Sequence, residues 1–399
     1  MTYSNFLKDS SRKNTIFAPQ NSIQMKKMLV FACLLLTMVG CGKKQVQLID
    51  AANFNKEVDG KQVSLYTLKN GDVTMQVTNY GGRVVALWTP DKRGSYEDIT
   101  LGYDHIDKYL DNPGERYLGA VVGRCANRIA HASFALNDTV YSLVKNDGDN
   151  TLHGGALGTD RVVWDVMSAN DSCMVMHVLL PDGQDGFPGN LDITMTYTLT
   201  SQNEFRIDYK ATTDKPTLCN LSNHTFFNLR GEGYDILSHQ LQINSKWALS
   251  VDSTLIPDGK FISVKKTPFD FLKMHAIGDS IQSNDIQIAY GHGYDHNWII
   301  SRQNTNNVEY AATLFEPKSR RQVEVFTDQM GLQFYSGNFF DGKVSGKYGK
   351  HLYRCAVALE TQNFPDAINQ ENFAMKPVLN PGQTYKHTCV YKFSVAPRK

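Results

Sequence analysis

The fold class is decided by residues 191–211, which read LDITMTYTLTSQNEFRIDYKA. Apolar side chains alternate with polar ones from Leu191 to Thr200, and the alternation resumes from Phe205 to Ala211. Successive side chains of a strand point to opposite faces, so each half predicts a β-strand with one buried and one solvated face. The short polar connection at 201–204 predicts that the two strands form an antiparallel hairpin.

Similar patterns extend along most of the chain. A second hairpin is predicted over 133–143, with its turn at Asn137-Asp138, whereas 105–111 and 366–371 predict only a turn or two of helix. Many strands without intervening helices indicate an antiparallel all-β architecture, either a sandwich or a barrel. Further strands are predicted at 73–79, 83–89, 162–168, 173–180, 240–248, 323–327, 331–336 and 387–395.

The N-terminal region resembles a bacterial export signal. Lys26 and Lys27 precede an apolar run of 13 residues that ends at Gly40, which is too short to span a bilayer as a helix. The Gly40-Cys41 pair resembles a lipoprotein signal-peptidase site, and cleavage there would leave Cys41 as a lipidated N-terminus. We therefore expect a periplasmic protein that contacts the membrane only through this lipid anchor, with translation starting at Met25 or Met28. The alternative is an ordinary signal peptide or a short anchor helix.

Composition and spacing predict the domain organisation. We expect an N-terminal extension plus signal peptide at 1–40, a tether at 41–54 and one large domain at 55–399, because no Pro/Gly/Ser-rich linker divides the rest. The formal net charge is +1 and no basic stripe occurs, which argues against a nucleic-acid partner. The seven cysteines include no CxxC pair, so neither a zinc site nor a redox pair is indicated.

A carboxylate is predicted at the end of a strand in CAVALETQNFPDA, residues 355–367. Strand alternation places the odd-numbered residues of 355–359 on an apolar face that suits a core. Glu360 then shares the opposite face with Ala356 and Ala358, whose small size leaves room for a ligand. Glu360 is therefore a candidate general base, although most glutamates at strand ends are solvated surface groups.

Several other segments are dense in His, Asn, Asp and Gly, as polar ligand sites tend to be. Each is ambiguous alone, since His153 could be a loop histidine bonded to backbone and His224 a satisfied core histidine. His292 and His296 have the spacing of a helical metal pair, but the flanking glycines make a helix there unfavourable. Phosphate loops, dinucleotide fingerprints, nucleophile elbows and HExxH are missing, which argues against kinases, dehydrogenases, α/β hydrolases and zinc proteases.

Taken together and in order, these segments resemble the aldose 1-epimerase (galactose mutarotase) family. The resemblance extends from about Tyr66 to Val395. Its motifs are GRCANRI (123–129), LHGG (152–155), NLSNHTFFNL (220–229), PFDF (268–271), GYDHN (293–297), GLQFYSGN (331–338) and LETQNFPDAIN (359–369).

The resemblance implies a large twisted antiparallel β-sandwich, the galactose mutarotase-like supersandwich, with a cleft across one face. It also implies interconversion of the α and β anomers of free aldohexoses such as glucose and galactose, with no cofactor and no metal. Glu360 matches the general base and His224 the general acid. Cys125 departs from a more usual Val or Tyr. The implied sugar ligands are His153 near the ring oxygen and Arg128, Asn127, Asp295 and Gln333 at hydroxyls.

The proposed chemistry suits these residue types. Anomer exchange needs a base on the C1 hydroxyl and an acid on the ring oxygen; we expect Glu360 to be ionised and His224 to be kept protonated by a carboxylate such as Asp295. The rivals are a glycoside hydrolase or lyase, which would need a carboxylate pair, and a non-catalytic sugar-binding protein. A hexose-6-phosphate mutarotase is also possible and would need an Arg/Lys cluster in the cleft.

Overall fold

The hairpin predicted at 191–211 is confirmed: strand Leu191–Leu199 pairs antiparallel with Glu204–Thr213, and Leu199 lies opposite Phe205. Apolar residues of the first strand are buried, while its polar residues are half-buried or exposed. The second predicted hairpin is present at Ser133–Leu136 and Thr139–Ser142, with left-handed φ at both turn residues. Local alternation is therefore enough to fix these pairs, because one register alone buries the apolar set.

The computed structural model describes residues 43–111, 113–304 and 307–397. Within these residues the α-helices are α1 Ile106–Asp111 and α2 Ile286–Gly291, and the single-turn 3-10 helices are Ala51–Phe54, Ala130–Ala132, Thr159–Arg161, Gln184–Gly186 and Ile277–Asp279. The strands up to residue 169 are β1 Lys56–Val58, β2 Lys61–Val63, β3 Leu65–Asn70, β4 Val73–Thr78, β5 Arg83–Pro90, β6 Tyr96–Asp98, β7 Val121–Val122, β8 Arg128–Ile129, β9 Ser133–Leu136, β10 Thr139–Ser142, β11 Thr151–Leu152 and β12 Asp165–Ala169.

The remaining strands are longer on average and include the main sheet strands. They are β13 Cys173–Leu180, β14 Leu191–Leu199, β15 Glu204–Thr213, β16 Thr217–Leu218, β17 Ser222–Asn223, β18 Phe226–Phe227, β19 Gln240–Ile243, β20 Trp247–Val251, β21 Pro257–Ser263, β22 His275–Ala276, β23 Asp295–Ile299, β24 Glu309–Phe315, β25 Arg321–Thr327, β26 Gly331–Tyr335, β27 Val357–Gln362, β28 Val378–Leu379 and β29 Tyr385–Val395.

Three sheets form the framework, and their strands pair antiparallel. The largest has the order β12-β13-β14-β15-β29-β25-β24-β19-β22, the second β18-β27-β26-β23-β20-β21, and the third β3-β4-β5-β6. One hydrophobic core contains side chains from all three, for example Met75, Met195 and Leu359. The all-β sandwich prediction is therefore confirmed.

The six-stranded sheet differs from the nine-stranded sheet in how its faces are covered. Strands β26 and β27 are buried at every residue, whereas β14 alternates between buried and accessible positions. One face of the six-stranded sheet packs into the core, so its other face must lie beneath connecting segments. That second face is where polar side chains are held out of solvent.

Two local predictions differ from the structure. The strand predicted at 240–248 is interrupted, because β19 belongs to the nine-stranded sheet and β20 to the six-stranded one. The segment predicted at 366–371 forms hydrogen-bonded turns in place of a helix, with the N–H groups of Asn369 and Gln370 donating to the carbonyl of Asp366. The passage of the chain from one sheet to another does not change the local alternation of apolar and polar residues, so the pattern could not predict it.

The segment predicted as a tether contacts the sheets from Lys44 onward. The Lys44 amide donates to Ser95, the Ile49 amide donates to Gln76, and Phe54 is fully buried. Lys44–Lys399 form one compact unit. The predicted signal sequence and Cys41 lie outside the described residues. Within the described part of the chain, no helix is long and apolar enough to cross a membrane.

Candidate active site

Three neighbouring strands place a row of polar side chains on one face of the six-stranded sheet, the face that connecting segments cover. In the strand register, Gln333 of β26 lies opposite Glu360 of β27 on one side and opposite Asn297 of β23 on the other. Leu359 next to Glu360 points into the core on the other face. Glu360 is 2% exposed. Its burial thus results from the packing of the sheet and not from a local turn.

The strand that carries Glu360 begins later than predicted. Pairing starts at Val357, and Cys355 packs in the same cluster as Ala356 and Ala358, not on the opposite face. The two alanines are fully buried, so they do not leave room for a ligand as predicted. They instead allow Phe226 to approach the strand, since Phe226 pairs directly with Ala358.

His224 is brought to Glu360 by the connection between β17 and β18. Its amide donates to the carbonyl of Ala120 at 2.8 Å, and its carbonyl accepts from the amide of Gly119 at 3.1 Å. These bonds fix the backbone on both sides of the imidazole. The His224 Nε2 atom lies 3.5 Å from Glu360 Oε1, with both side chains buried.

His153 enters the site from the end of β11, which pairs with β8 so that Leu152 lies opposite Arg128. The amide of Asn127 donates to His153 Nδ1 at 3.1 Å, and the amide of His153 donates to the carbonyl of Asn127 at 3.0 Å. Because Nδ1 accepts a hydrogen bond, the neutral ring carries its proton on Nε2. His153 therefore presents a hydrogen-bond donor to the site.

The glycine after His153 is required by the packing of the loop. Gly154 has φ of 91°, and a Cβ at this position would lie 2.0 Å from the carbonyl oxygen of Gly123. His153 itself is left-handed, with φ of 51°. The LHGG motif thus folds tightly against the GRCANRI motif, and this contact sets the position of His153.

Arg128, Asp295 and Gln333 form a linked polar group beside the two histidines. Gln333 Nε2 donates to Asp295 Oδ1 at 2.7 Å, and Arg128 Nη1 lies 3.9 Å from Asp295 Oδ2. Arg128 Nε also donates to Asp147 Oδ2 at 2.8 Å. The charge of Arg128 is therefore shared between two carboxylates.

These side chains surround a cavity of about 90 Å³. Six of the seven predicted site residues line it, and Gln333 lies behind Asp295. The lining residues are Glu115, Tyr117, Asn127, Arg128, Leu152, His153, His224, Asp295, Tyr335, Phe339 and Glu360.

Sequence reasoning missed four of the lining residues: Glu115, Tyr117, Leu152 and Phe339. Tyr117 packs edge-on against His153, with ring centroids 4.6 Å apart, and stacks on His224 at 5.8 Å. Leu152 was quoted only as part of the LHGG motif. The segment before GRCANRI carries no distinctive pattern, so no sequence signal pointed to Glu115 or Tyr117.

Burial shifts the two central groups in opposite directions. It raises the pKa of Glu360 well above its usual value, and the carboxylates of Asp295 and Glu115 add to this. Burial lowers the pKa of His224 to about 3. Desolvation disfavours the carboxylate and the imidazolium alike, so both shifts favour the uncharged pair, a carboxylic acid and a neutral imidazole. The prediction that Asp295 keeps His224 protonated is not met in the free protein.

The neighbouring groups follow the same rule. Burial raises the pKa of Asp295, an effect that Arg128 and Gln333 partly offset. Burial also lowers the pKa of His153 well below its usual value, and nearby His224 and Arg128 lower it further. The site thus contains uncharged imidazoles next to a cluster of carboxyl groups.

Ligand atoms of His153, His224 and Glu360 lie within 4.8 Å of one another, close enough to be considered as a metal site. The hydrogen-bond pattern argues against it. His153 Nδ1 accepts from a backbone amide, so its cavity-facing Nε2 carries a proton and has no lone pair for a metal. The arrangement suits donation to an oxygen atom better than ligation.

Other residues from the predicted motifs have structural positions. Arg124 is buried and donates to the carbonyls of Pro188 and Gly189. His292 ends α2 in a left-handed conformation, and His296 lies on β23, so the two do not share a helix face. The cysteines in the described residues are free thiols, and all but Cys173 are buried.

Comparisons with known proteins identify the family of the chain. The sequence profile of aldose 1-epimerases matches residues 64–392. The chain is 39% identical over 343 residues to galactose mutarotase of Rattus norvegicus, covering 84% of this chain and 96% of the relative. It is 34% identical over 337 residues to aldose 1-epimerase of Escherichia coli K12, with the same coverages.

Solved structures give the same result. A C. elegans aldose epimerase homologue superposes with a TM-score of 0.77 at 28% identity, covering 84% of this chain and all of the homologue. Galactose 1-epimerase from Lactobacillus acidophilus superposes with a TM-score of 0.73 at 30% identity, covering 86% and 97% of the two chains.

Proposed function

Because the chain belongs to the aldose 1-epimerase family, whose members are isomerases, we propose that it interconverts the α and β anomers of free aldohexoses such as glucose and galactose. The observation that carries the proposal is the buried Glu360–His224 pair, with 3.5 Å between Oε1 and Nε2, in a cavity lined by hydrogen-bonding side chains. We assign Glu360 as general base and His224 as general acid.

The spacing of the pair suits the reacting atoms. The hydroxyl oxygen and the ring oxygen are bonded to the same carbon, so the base and the acid must act within a few ångströms of each other. Glu360 removes the proton of the C1 hydroxyl, and His224 protonates the ring oxygen as the bond from C1 to that oxygen breaks. The product is the open-chain aldehyde, with the released electron pair on the former ring oxygen.

Reclosure uses the same groups in reverse. After rotation about C1–C2, His224 takes the proton back from the attacking hydroxyl, and Glu360 returns its proton to the aldehyde oxygen. Ring opening thus ends with a protonated Glu360 and a neutral His224. Burial favours this same protonation state in the free protein, so the site is matched to the ring-opened intermediate. Sugar hydroxyls must stabilise the carboxylate of Glu360 before the reaction starts.

The remaining cavity residues suit sugar recognition. His153 presents its Nε2–H group, and we propose that it donates to the ring oxygen or to a nearby hydroxyl. Arg128, Asn127 and Asp295 offer donors and acceptors to the other hydroxyls. Gln333 acts by holding Asp295 through its 2.7 Å hydrogen bond. No group in this mechanism calls for a metal or a cofactor.

The rivals raised by the sequence have less support. A glycosidase needs an acid and a base or nucleophile that are both carboxylic, and Asp295 and Glu115 do line the cavity with Glu360. Membership of an isomerase family and the close Glu360–His224 pair favour ring opening instead. A phosphosugar site needs an uncompensated cation, and among the residues that the structure describes Arg128 is the only Lys or Arg that lines the cavity. Arg128 is already paired with Asp147 and Asp295.

The direct test is polarimetry on freshly dissolved α-D-glucose and α-D-galactose. Wild type should speed the change in optical rotation, and Glu360→Gln should slow it by roughly 10²–10⁴-fold. Glu371→Gln, an exposed change of the same chemistry, should behave as wild type. Methyl α-D-galactoside has no free C1 hydroxyl, so it reports binding without turnover.

Each rival makes a different prediction in this assay. A sugar-binding protein would bind galactose with both variants but accelerate nothing. A glycosidase would release p-nitrophenol from a p-nitrophenyl glycoside. If wild type changes the optical rotation of galactose no faster than heat-inactivated protein does, the proposed activity on this sugar is refuted.

We also propose that the protein is exported and held at the cell envelope by a lipid on Cys41. The support is the sequence pattern at 26–41 alone. Metabolic labelling with a fatty-acid analogue should mark wild type and not Cys41→Ser, and fractionation should move the variant from the membrane to the soluble fraction. Recovery of wild type only in the soluble cytosol would contradict the proposal.

A further inference from the structure

Glu115 is a third carboxylate in the candidate active site, along with Asp295 and Glu360. It lies in the segment between α1 and β7 and lines the same cavity as His224 and Glu360. No motif contains it, and no role has been given to it so far. Its position therefore raises the question of what a further acidic group does beside the reacting pair.

The hydrogen bonds of Glu115 leave one oxygen atom unused. Its Oε1 accepts from the amide of Tyr117 at 3.0 Å. Its Oε2 has no hydrogen-bond partner among the described residues. The side chain is half-buried, so water reaches this atom only partly. A carboxylate oxygen in such a position gains most from a polar ligand atom that replaces the missing water.

The other two carboxyl groups already have roles in the proposed mechanism. Asp295 accepts from Gln333 and lies near Arg128, while Glu360 faces His224. Glu360 Oε2 also lacks a hydrogen-bond partner within the described part of the chain, but Glu360 acts on the C1 hydroxyl and Asp295 is placed at another hydroxyl. Glu115 therefore adds a further acceptor for a ligand. The same side chain also borders a second cavity of about 290 Å³, lined in part by Phe339 and Lys343. Glu115 therefore stands where the two cavities meet.

We propose that Glu115 is a specificity-determining residue that binds one hydroxyl of the aldose through its free Oε2 atom. The inference rests on the proposed function and adds a substrate contact to it. A hydrogen bond to a charged group contributes about 1.5–3 kcal/mol, which corresponds to roughly 10–150-fold in affinity. Sugars that lack the hydroxyl, or hold it in the other configuration, lose that contribution.

A second consequence concerns Glu360. The charges that act on it come from Asp295, Glu115 and Arg128, and His224 faces it directly. Removing the charge of Glu115 takes away one repulsive partner, so Glu360 then releases its proton more readily. The alkaline limit of activity should accordingly move to lower pH in a Glu115→Gln variant.

The experiment measures kcat and KM by polarimetry for wild type, Glu115→Gln and Glu115→Ala. The probes are D-glucose and its 2-, 3-, 4- and 6-deoxy derivatives. Asp111→Asn, an exposed change at the end of α1, is the matched control for charge. Glu115→Gln keeps an acceptor for the Tyr117 amide, so it separates binding from any structural effect of Glu115→Ala.

We expect KM for D-glucose to rise about tenfold or more in Glu115→Ala, with a smaller rise in Glu115→Gln and little change in kcat. For one deoxy sugar, wild type should show the same rise in KM. Glu115→Ala should cause no further rise in KM for that sugar. KM values within twofold of wild type in both variants, with an unchanged pH profile, would overturn the inference. Wild type is measured first, and if wild type itself shows no activity, the result refutes the proposed function and not this inference.

Discussion

Glu360 Oε1 lies 3.5 Å from Nε2 of His224, and both side chains are withdrawn from solvent. A residue of strand β27 and a residue of the β17–β18 connection, 136 positions apart in the chain, therefore form one proton-transfer unit. The distance is longer than a strong hydrogen bond, which leaves space for substrate oxygens to bridge the two groups. The behaviour of this pair as a unit leads to three predictions.

The first concerns additivity. Glu360→Gln and His224→Asn should each slow mutarotation by roughly 10²–10⁴-fold, because each removes one half of the same proton exchange. The double variant should be about as slow as the slower single variant. Polarimetry on galactose measures all three. Multiplication of the two single effects in the double variant would mean that the residues act in separate steps.

The second concerns the pH dependence of kcat/KM. The pair is active in the pH range in which it holds one proton. Burial widens this range, because it lowers the pKa of His224 to about 3 and raises the pKa of Glu360. Groups with ordinary pKa values, near 4.3 and 6.5, would lose activity above about pH 6.5. We therefore expect the profile to stay flat through pH 6.5. A fall centred near pH 6.5 would show that His224 titrates normally.

The third concerns stability. The pKa of Glu360 is raised in the folded state, so the unfolded carboxyl, near 4.3, loses its proton first. Wild type therefore loses stability as the pH rises from about 4.3 towards the folded-state pKa, by at most about 1.4 kcal/mol per pH unit. Glu360→Gln should melt at a higher temperature than wild type, and the difference should grow with pH. Glu371→Gln, which is exposed, should show no such trend.

A fourth prediction concerns metals. Because His153 Nδ1 accepts from the Asn127 amide, its Nε2 carries a proton and is a poor ligand. Treatment with EDTA should leave activity unchanged, and micromolar Zn²⁺ should not inhibit. His153→Gln, which retains an N–H donor, should be less impaired than His153→Ala. Activity that is lost on chelation and restored by a divalent cation would refute this assignment.

A fifth prediction concerns the backbone behind His153. Gly154→Ala should destabilise the protein by more than the roughly 1–2 kcal/mol of left-handed strain, because its Cβ would lie 2.0 Å from the Gly123 carbonyl. It should also lower kcat by displacing His153. Gly148 also has a positive φ, but nothing lies within 4 Å of a Cβ there. The melting temperature of Gly148→Ala should therefore fall only by the amount that left-handed backbone strain causes. Equal melting temperatures for the two variants would contradict the close-approach explanation.

The sequence determined the elements whose cause is local. Alternation of apolar and polar residues specified β14 and β15 and their hairpin, because a slip of one residue would expose the whole apolar face. The order of short polar motifs also indicated the family and the residues that line the cavity. Those motifs contain Glu360, His224 and His153.

Only the tertiary structure decided how those residues behave. The register that aligns Asn297, Gln333 and Glu360 joins strands from distant parts of the chain, and nothing local encodes it. Burial beneath covering segments then reverses the expected protonation of His224. It also brings Glu115 into the same cavity, from a segment with no motif. Proton affinity depends on dielectric surroundings and neighbouring charges, and these exist only once the sheets have packed.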